Sequence, residues 1–587
     1  MNIIVKTGKV TKQILGTKDK SILNLLHENN LYISALCGGR GTCGKCKIRV
    51  LNGRLPISPK DESYFSKSKL DKGFRLACAA YPQEDVEIMI EASEEEFEAV
   101  TGFEGEDGCI DSGFRVMDVD LRDINWQKVK SIHSAIESKL DKSYTLSYKA
   151  LKNLSFLLNS YMQDADKKPL QLLVKGTTVL DVFYERDIEA YGIAIDIGTT
   201  TLGFHLVDLL AGRIKGSHSL LNTQRMHGAD VITRIQNAAS GGLEQLKHLI
   251  MQDILEGISC LLEDGDCDNR FVYSVTTAGN TTMMHLLLGL SPESLGQFPF
   301  ASTTLSLMEQ PFEKLFGSSL LDCEVIVFPG MDAYVGADIV AGIFHHRMFK
   351  TDQVNMLIDI GTNGEIVIGN RDRILATATA AGPAFEGGNI SCGTGCIAGA
   401  IAALRYNKDA FDYEVIGNRE PFGICGSGVI DTIAEGLKID WIDMTGRLSE
   451  AFSNGEIPIY QNESGVSIKL SQKDIREIQL AKSALRSGVE CLIKVYGIDY
   501  DGIDHVYLAG GFGSNLSIEN TVRIGLIPEE LKDKIVISGN TCLGGLVKYL
   551  LNQEYQNDLE SIFDIASAIN LSNDPDFNSL FIENMYF

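Results

Sequence analysis

The feature that most constrains the fold is an internal repeat. The stretches IAIDIGTTTLGFHLVD (193–208) and MLIDIGTNGEIVIGN (356–370) share one pattern: an apolar strand, an aspartate, an Ile-Gly-Thr turn and a second apolar strand. Repetition of this whole unit predicts a duplicated domain whose two halves face each other. From residue 191 onward, apolar β-branched runs alternate with helical stretches, which predicts an α/β architecture.

The two turns are suited to a phosphorylated ligand. Asp196 and Asp359 end their strands, where a carboxylate can hold a hydrated Mg²⁺ ion. Gly-Thr turns expose backbone N–H groups to phosphate oxygens, and hydroxyl groups add donors. One such turn is weak evidence, but two in register predict a polyphosphate between them. The predicted phosphate-binding residues are Gly198, Thr199, Thr200, Thr201, Gly361, Thr362, Asn363 and Gly364.

A third glycine-rich turn lies near the end of the chain. The stretch HVYLAGGFGSN (505–515) reads as a buried strand that runs into a Gly-Gly-x-Gly-Ser turn. Without side chains, such a turn lets the backbone approach a flat ligand such as adenine or ribose. A plain strand-to-helix turn is the alternative. The predicted nucleoside-binding residues are Gly510, Gly511, Gly513, Ser514 and Asn515.

The order of these motifs resembles the ATPase superfamily of actin, sugar kinases and Hsp70. Two glycine-bearing helices complete the order, VGADIVAG (335–342) and LGGLVKYL (543–550). The resemblance covers about residues 190–587 and implies ATP with Mg²⁺ in a cleft between two lobes that open and close with nucleotide state.

The same resemblance suggests four candidate catalytic residues. Asp196 and Asp359 come from the turns, and Asp338 on the first glycine-bearing helix is a candidate for positioning the attacking water. Glu386 in AFEGG either orients a Mg²⁺-bound water or caps a turn, and the sequence leaves this open.

The N-terminal part carries a dense group of cysteines in CGGRGTCGKC (37–46), and a lone cysteine follows in RLACAAYP. A disulfide, a zinc site and an iron–sulfur cluster are the three readings. Zinc favours two separated C-x2–4-C pairs, whereas a [2Fe–2S] cluster needs four thiolates within a glycine-rich loop. The sequence therefore favours a [2Fe–2S] cluster whose ligands are Cys37, Cys43, Cys46 and Cys78. One residue more than the plant-type C-x4-C-x2-C spacing leaves the cluster potential open.

Composition limits the partners and the compartment. The chain has 53 Lys and Arg against 78 Asp and Glu, a formal net charge of −25, which argues against nucleic acid or an anionic membrane as partner. The N-terminus lacks a signal-peptide pattern, and no apolar run approaches a membrane span. We therefore expect a cytoplasmic protein, in which thirteen cysteines do not form a disulfide framework.

The 587 residues are too many for one core, so several domains are expected. The predicted fold class is multidomain α/β and α+β. We predict a β-grasp ferredoxin-like domain (1–92), an acidic linker (93–112), a small α/β middle domain (113–188) and a two-lobed actin-like ATPase domain (189–587), with the lobes split near 343–355. The aromatic tail DPDFNSLFIENMYF predicts a docked segment. Whether it also forms a homodimer contact stays open.

Longer segments resemble the reductive activators of corrinoid proteins: NTQRMHGADVITRI (222–235), TTAGNTTMMHLLLG (276–289), AAGPAFEGGNISCGTGCIAGAI (380–401), GICGSGVID (423–431) and QKDIREIQLAKSALRSGVE (472–490). This resemblance spans nearly the whole chain and is weakest over 91–186. It implies ATP-dependent one-electron reduction of Co(II) to Co(I) in a corrinoid protein of a methyltransferase system, with a separate, unidentified electron donor.

Three other functions are compatible with parts of the sequence. An ATP-dependent donor to another acceptor, such as a radical dehydratase, usually has a [4Fe–4S] cluster between two short subunits. A small-molecule kinase with a redox sensor would phosphorylate a hydroxylated substrate. An Hsp70-like chaperone would need a peptide-binding β domain after residue 550. Within the resembling segments, His285 is expected to be a packed histidine, and Cys392, Cys396 and Cys425 small cysteines near the cleft.

Overall fold

The computed structural model describes the chain except residues 8–9, 30, 32, 34–40, 42–43, 45, 91–110, 141, 165–167, 229, 408–409, 463–466, 511–515 and 572–573. Several sequence predictions lie outside the described residues: most of the predicted linker, and Cys37, Cys43, Gly511, Gly513, Ser514 and Asn515.

The N-terminal part is a mixed sheet packed against short helices. The strand order across the sheet is Val10–Leu15, Asn2–Thr7, Val86–Ile90, Lys47–Asn52 and Phe74–Leu76. Its helices are Ile22–Glu28, Pro59–Tyr64 and Lys67–Asp71. Alternating buried and exposed residues along the strands, as in Asn2–Thr7, direct one face to a separate apolar core.

The middle part has its own sheet and core. Its strand order is Phe114–Val119, Leu170–Lys175, Thr178–Phe183 and Thr145–Leu146, and its helices are Ile132–Glu137 and Tyr148–Gln163. Where the predicted linker ends, Asp111 exchanges backbone hydrogen bonds with Leu551 and Gln553 (3.1 and 2.7 Å), and the Ser112 hydroxyl donates to the Leu209 carbonyl (2.6 Å). This end of the segment is therefore fixed on the C-terminal part.

The C-terminal part contains two large sheets with the same plan. The first has the order Arg213–Leu221, Thr201–Asp208, Tyr191–Ile197, Val272–Gly279, Glu324–Val327 and Met308–Pro311. The second has the order Ala566–Ala568, Ile374–Thr379, Gly364–Gly369, Asn355–Ile360, His505–Gly510 and Ile535–Gly539. In both, three antiparallel strands are followed by two parallel ones. This is the duplication that the sequence repeat predicts.

Helices cover both sheets. The first lobe has Val231–Asn237, Leu243–Asp264, Thr281–Leu288, Phe312–Phe316 and Ala337–His345. The second half of the chain adds Gly426–Lys438, Gln472–Tyr496, Ile518–Arg523, Thr541–Leu551, Gln553–Asp558, Ser561–Ile565 and Phe577–Glu583, with small sheets formed by Ala410–Val415, Ala400–Asn407 and Gly423–Ile424 and by Glu456–Gln461 and Ser467–Ser471.

The chain end is docked, as its aromatic residues predict. Phe587 is buried against the core of the second lobe, and the Gln479 side chain donates to the Met585 carbonyl (2.7 Å). Among the helices in the described ranges, none is both long and apolar enough to cross a bilayer.

Candidate functional site

A cleft lies between the two Asp-Ile-Gly-Thr turns, which we call loop 1 (residues 196–201) and loop 2 (residues 359–365). Each loop follows the strand that joins the antiparallel set to the parallel strands, so the repeated sheets present equivalent turns to the same space. The sequence-predicted residues that line it are Asp196, Gly198, Thr199, Thr200, Thr201, Asp338, Asp359, Gly361, Thr362, Asn363, Glu386 and Gly510.

Two glycines explain how the backbone packs around loop 2. A Cβ at Gly364 would lie 2.2 Å from Leu485, so this residue faces the helix beneath the loop. Gly510 has φ +113°, and a Cβ there would lie 2.4 Å from the Ile360 carbonyl oxygen. Only glycine permits this approach, so strand His505–Gly510 ends directly against loop 2.

A buried arginine holds loop 1 from behind. The Arg234 guanidinium, fully buried on helix Val231–Asn237, donates to the Thr199 carbonyl, to the Gly228 carbonyl (2.9 Å) and to the Gln224 side chain (3.2 Å). Burial lowers the pKa of Arg234 to about 9. A planar guanidinium can satisfy several carbonyls at once, which makes Arg234 a positioning residue for the loop.

Two helix-capping asparagines also contact loop 1. Asn280 caps helix Thr281–Leu288 through its side-chain oxygen, and its amide donates to the Thr199 hydroxyl (2.9 Å). Asn540 caps helix Thr541–Leu551 in the same way, and its amide donates to the Asp196 carboxylate (2.7 Å). Each cap therefore ties a helix N-terminus to the loop.

Five carboxylates among the described residues line the cleft: Asp196, Asp338, Asp359, Glu365 and Glu386. Burial, with the neighbouring carboxylates as the next cause, raises the pKa of Asp338 and of Asp359 to about 7. Burial likewise raises the pKa of Asp196, Glu365 and Glu386. So many acids in one low-dielectric space favour a cation or protons between them.

Glu365 was missed as a candidate catalytic residue. It lies directly opposite Asp359 in the antiparallel register, so both side chains leave the same face of the hairpin. In the first hairpin the equivalent position opposite Asp196 is Gly203, and the Asn540 amide lies 3.9 Å from where its Cβ would be. The sequence signal that could have identified Glu365 is the position of Asp359 and Glu365 at equal distances on either side of the second turn.

Glu386 lies at the end of the helical turn Pro383–Glu386, and Asp338 lies near the start of helix Ala337–His345. The Thr362 hydroxyl of loop 2 donates to the Glu386 carboxylate (2.6 Å), which fixes this acid beside the loop. Asp338 lies in the first turn of helix Ala337–His345, where its carboxylate accepts from the Ile339 N–H group (2.9 Å).

The two glycine-bearing helices cross behind the cleft. A Cβ at Gly545 would lie 2.1 Å from the Ala341 carbonyl oxygen, and a Cβ at Gly544 would lie 2.5 Å from the His345 ring. The missing side chains let helices Ala337–His345 and Thr541–Leu551 approach closely. This contact sets the spacing between Asp338 and the Asn540–Asp196 pair.

Two of the four predicted cluster ligands can be placed. Cys46 precedes strand Lys47–Asn52 and Cys78 follows strand Phe74–Leu76; these strands pair, and the Ala77 N–H group donates to the Cys46 carbonyl (2.7 Å). Buried Asp61 accepts from the Leu76 N–H group (2.7 Å) and so anchors the second strand. Both thiols are buried at one end of the sheet, which fits a shared thiolate site.

The remaining expectations concern histidine and metal sites. His285 is buried, its Nδ1 pairs with the Thr281 carbonyl (2.8 Å) and its Nε2 accepts from the Thr303 N–H group (2.9 Å), so the packed-histidine interpretation is correct. In the part of the chain that is described, no group of three His, Cys, Asp or Glu side chains is arranged to hold a metal ion directly.

Three family models of known proteins match this chain. Residues 191–351 match the family model described as RACo middle region, residues 353–587 match the C-terminal domain of RACo, the ASKHA domain, and residues 6–83 match a 2Fe-2S iron–sulfur cluster binding domain. These matches support an iron–sulfur cluster and ATP as cofactors, and they confirm the predicted multidomain fold class.

Full-length relatives agree with these matches. A corrinoid activation enzyme, RamQ of Eubacterium limosum, is 29% identical over 95% of this chain and 94% of its own length. A [Co(II) methylated amine-specific corrinoid protein] reductase of Methanosarcina barkeri is 28% identical over 65% of this chain and 73% of its own. A solved structure of a reductive activator for corrinoid, iron–sulfur protein superimposes with a TM-score of 0.72 at 26% identity, covering 100% of this chain and 98% of that one. The chain therefore belongs to the RACo family of reductive activators of corrinoid proteins.

Proposed function

We propose that this protein is an ATP-dependent reductive activator that returns the inactive Co(II) state of a corrinoid protein to Co(I). The observation that carries the proposal is the combination, in one chain, of an iron–sulfur domain match and a two-lobed acidic cleft, together with full-length similarity to an enzyme named for corrinoid activation. A methyltransferase system would supply the corrinoid protein, and a separate reductant would supply the electron.

ATP would lie between loop 1 and loop 2 with its phosphates toward both. Thr199, Thr200, Thr201, Thr362 and Asn363 line the cleft, and their hydroxyl and N–H groups would donate to phosphate oxygens. Gly510 and the neighbouring residues 511–515 would hold the nucleoside. Helix termini capped by Asn280 and Asn540 direct further N–H dipoles toward this space.

Mg²⁺ fits the acids of this cleft through its water shell. Oxygen ligands suit Mg²⁺, and the ion commonly keeps several waters rather than entering an all-protein cage. Asp196 and Asp359 on opposite loops would accept hydrogen bonds from those waters. Asp338 would position the attacking water, and Glu386, fixed by Thr362, would orient a water on the metal.

The four N-terminal cysteines Cys37, Cys43, Cys46 and Cys78 would hold a [2Fe–2S] cluster, which supplies a one-electron carrier when bound. The Ala77–Cys46 backbone contact and the Asp61 anchor keep two of the thiols at one end of the sheet. The predicted linker (93–112) would let this domain reach the corrinoid.

Energetics explain the need for ATP. Plant-type [2Fe–2S] proteins have potentials near −400 mV, and each adverse 59 mV reduces a one-electron equilibrium about tenfold. An acceptor a few hundred millivolts lower is thus reduced negligibly without help. Nucleotide can help only by binding the two states of the protein complex with different affinity.

The net charge of −25 supports a protein partner rather than nucleic acid or an anionic membrane. We propose a cytoplasmic location, because the sequence has neither a signal-peptide pattern at its N-terminus nor an apolar run long enough to span a membrane.

The test monitors Co(II) to Co(I) conversion by absorbance, in a corrinoid protein mixed with this protein and a chemical reductant. Conversion should require ATP, and Asp359→Asn should slow it at least about tenfold through loss of a cleft carboxylate. Asp352→Asn is the matched control, because Asp352 is exposed and pairs with Arg371 away from the cleft. Equal rates with and without ATP would exclude the proposed coupling.

The cluster has a separate readout. Cys46→Ser and Cys78→Ser should lower bound iron and change the EPR spectrum of the reduced protein. Cys260→Ser, on helix Leu243–Asp264, should leave both unchanged. An iron-free, colourless wild-type protein would contradict the cluster assignment.

A further inference from the structure

A pair of cysteines lies on the wall of the cleft and has no part in the proposed reaction. Cys396 lines the cleft, and Cys425 is completely buried at the N-cap of helix Gly426–Lys438. Their segments run side by side: Thr394 N–H donates to the Ile424 carbonyl (2.9 Å), and Ile424 N–H donates to the Cys392 carbonyl (2.9 Å).

The surroundings make this pair chemically unlike a packed core cysteine. Cys396 packs against the small apolar cluster that contains Cys425, and the Cys425 sulfur lies 3.3 Å from the Ser427 hydroxyl. The hydrogen bond from Cys396, followed by those from Ser427 and the helix N–H groups, lowers the pKa of Cys425 to about 6. The same bond to Cys425, and then burial, raises the pKa of Cys396. The directions of the two shifts place the thiolate on Cys425 and the proton on Cys396.

We propose that Cys396 and Cys425 form a redox-reactive dithiol that closes to a disulfide and lowers the affinity of the neighbouring cleft for nucleotide. The disulfide itself is independent of the proposed function. Only its consequence depends on the nucleotide site assigned above.

The chemistry balances with a low-molecular-weight disulfide as oxidant. Cys396, the member that faces the cleft, transfers its proton to the Cys425 thiolate and attacks one sulfur of the oxidant, which releases one thiolate. The Cys425 thiol then attacks the mixed disulfide at Cys396, and the second small thiol leaves with the proton. The cysteine pair loses two electrons, and the oxidant is reduced to a thiol and a thiolate.

The consequence for the cleft follows from position. Gly395 and Gly426, each adjacent to one cysteine, both line the cleft. A disulfide requires an S–S distance of about 2.05 Å, shorter than any thiol–thiol contact, so closure must move the two segments relative to each other. Because both segments form the nucleotide wall, we expect ATP affinity to fall about tenfold.

The experiment uses the full-length protein with its cluster, treated with either dithiothreitol or oxidised glutathione. Peptide mapping by mass spectrometry should find Cys396 joined to Cys425 only after oxidation. Isothermal titration with ATP should then show an affinity about tenfold weaker than in the reduced sample. Dithiothreitol should restore it.

Variants separate this pair from other thiols. Cys425→Ser and Cys396→Ser should each give the same ATP affinity in the two treatments, each judged against its own reduced sample. Cys392→Ser is the matched control, because Cys392 lies on the same loop as Cys396 but its thiol donates to the Ser467 carbonyl (3.8 Å). This variant should respond to oxidation as the wild type does.

The outcomes are distinguishable. A missing Cys396–Cys425 peptide, a disulfide that leaves ATP affinity unchanged, or an oxidation response that persists in Cys396→Ser would each overturn the switch alone. A reduced protein that does not bind ATP would overturn the nucleotide assignment and the switch with it.

Discussion

The crossing of the two glycine-bearing helices can be tested with a single methyl group. At Gly545 an added Cβ would lie 2.1 Å from the backbone oxygen of Ala341, and no side chain can turn aside to make room. Relieving the overlap requires the helices Ala337–His345 and Thr541–Leu551 to separate by about 1 Å. Gly545→Ala therefore displaces Asp338 from the Asn540–Asp196 pair.

The magnitude follows from two opposing effects. Overpacking a tight contact costs about 1–3 kcal/mol, and a backbone obstacle belongs at the upper end of this range. Alanine returns about 1 kcal/mol, because it favours a helix over glycine. The net loss of about 2 kcal/mol should lower the melting temperature by several degrees. A displacement of about 1 Å in a catalytic arrangement can cost about a hundredfold, so ATP hydrolysis should fall far more than stability.

The assay compares melting temperature and ATP hydrolysis for Gly545→Ala and for Gly216→Ala. A Cβ at Gly216 meets only a Leu261 methyl group, at 3.9 Å, so this variant controls for the exchange itself. Wild-type hydrolysis and melting temperature in Gly545→Ala would refute the role given to the helix contact.

Three further predictions concern two residues at the cleft and one in the middle part. Arg234→Lys keeps the charge, but a lysine cannot contact Thr199, Gly228 and Gln224 together. The ATP affinity measured by titration should therefore fall about tenfold, whereas Arg371→Lys on the surface should leave the ATP affinity unchanged. Burial raises the folded-state pKa of Asp359 to about 7, above its usual value in the unfolded chain. The folded protein is therefore most stable with Asp359 protonated, and it loses this stability as the pH rises from about 4 through 7. Without nucleotide, Asp359→Asn should thus have a higher melting temperature than the wild type at pH 8, and the difference should shrink toward pH 5. Buried Asp181 accepts hydrogen bonds from the Tyr273 hydroxyl (2.9 Å) and from the Asn153 amide (2.6 Å). Asp181→Asn weakens these contacts, so limited proteolysis should cleave the middle part faster. An unchanged cleavage rate would contradict this prediction.

The local parts of the site could be predicted from the sequence because they follow from short patterns. An apolar strand that ends in Asp and a Gly-Thr turn specifies a hairpin wherever it lies, and two copies specify two equivalent sheets. Loop 1 and loop 2 accordingly face one cleft. The close contact of the glycine-bearing helices could also be predicted, because glycine on an otherwise apolar helix indicates that another backbone approaches closely.

The supporting residues could not be predicted, because they act across long stretches of chain. Asn540 donates to Asp196 over a separation of 344 residues, and Arg234 reaches Thr199 from a helix whose sequence indicates only amphipathic packing. Periodicity reports which face of an element is buried, but not which distant turn its polar residue meets. The Cys396–Cys425 pair was missed for the same reason: the sequence suggested small buried cysteines, and only the pairing of their two segments brings both residues to one apolar cluster.

The arrangement of the acids explains how nucleotide could drive lobe movement. Asp196 and Asp338 belong to the first lobe, whereas Asp359, Glu365 and Glu386 belong to the second. Helix Thr541–Leu551 comes from the end of the chain but packs into the core of the first lobe, so the lobes are joined behind the cleft. Unneutralised carboxylates on opposite walls repel each other and favour an open cleft. In the proposed function, a hydrated Mg²⁺ with ATP would replace that repulsion by attraction to both walls, and this would give a closed state the higher nucleotide affinity that coupling requires.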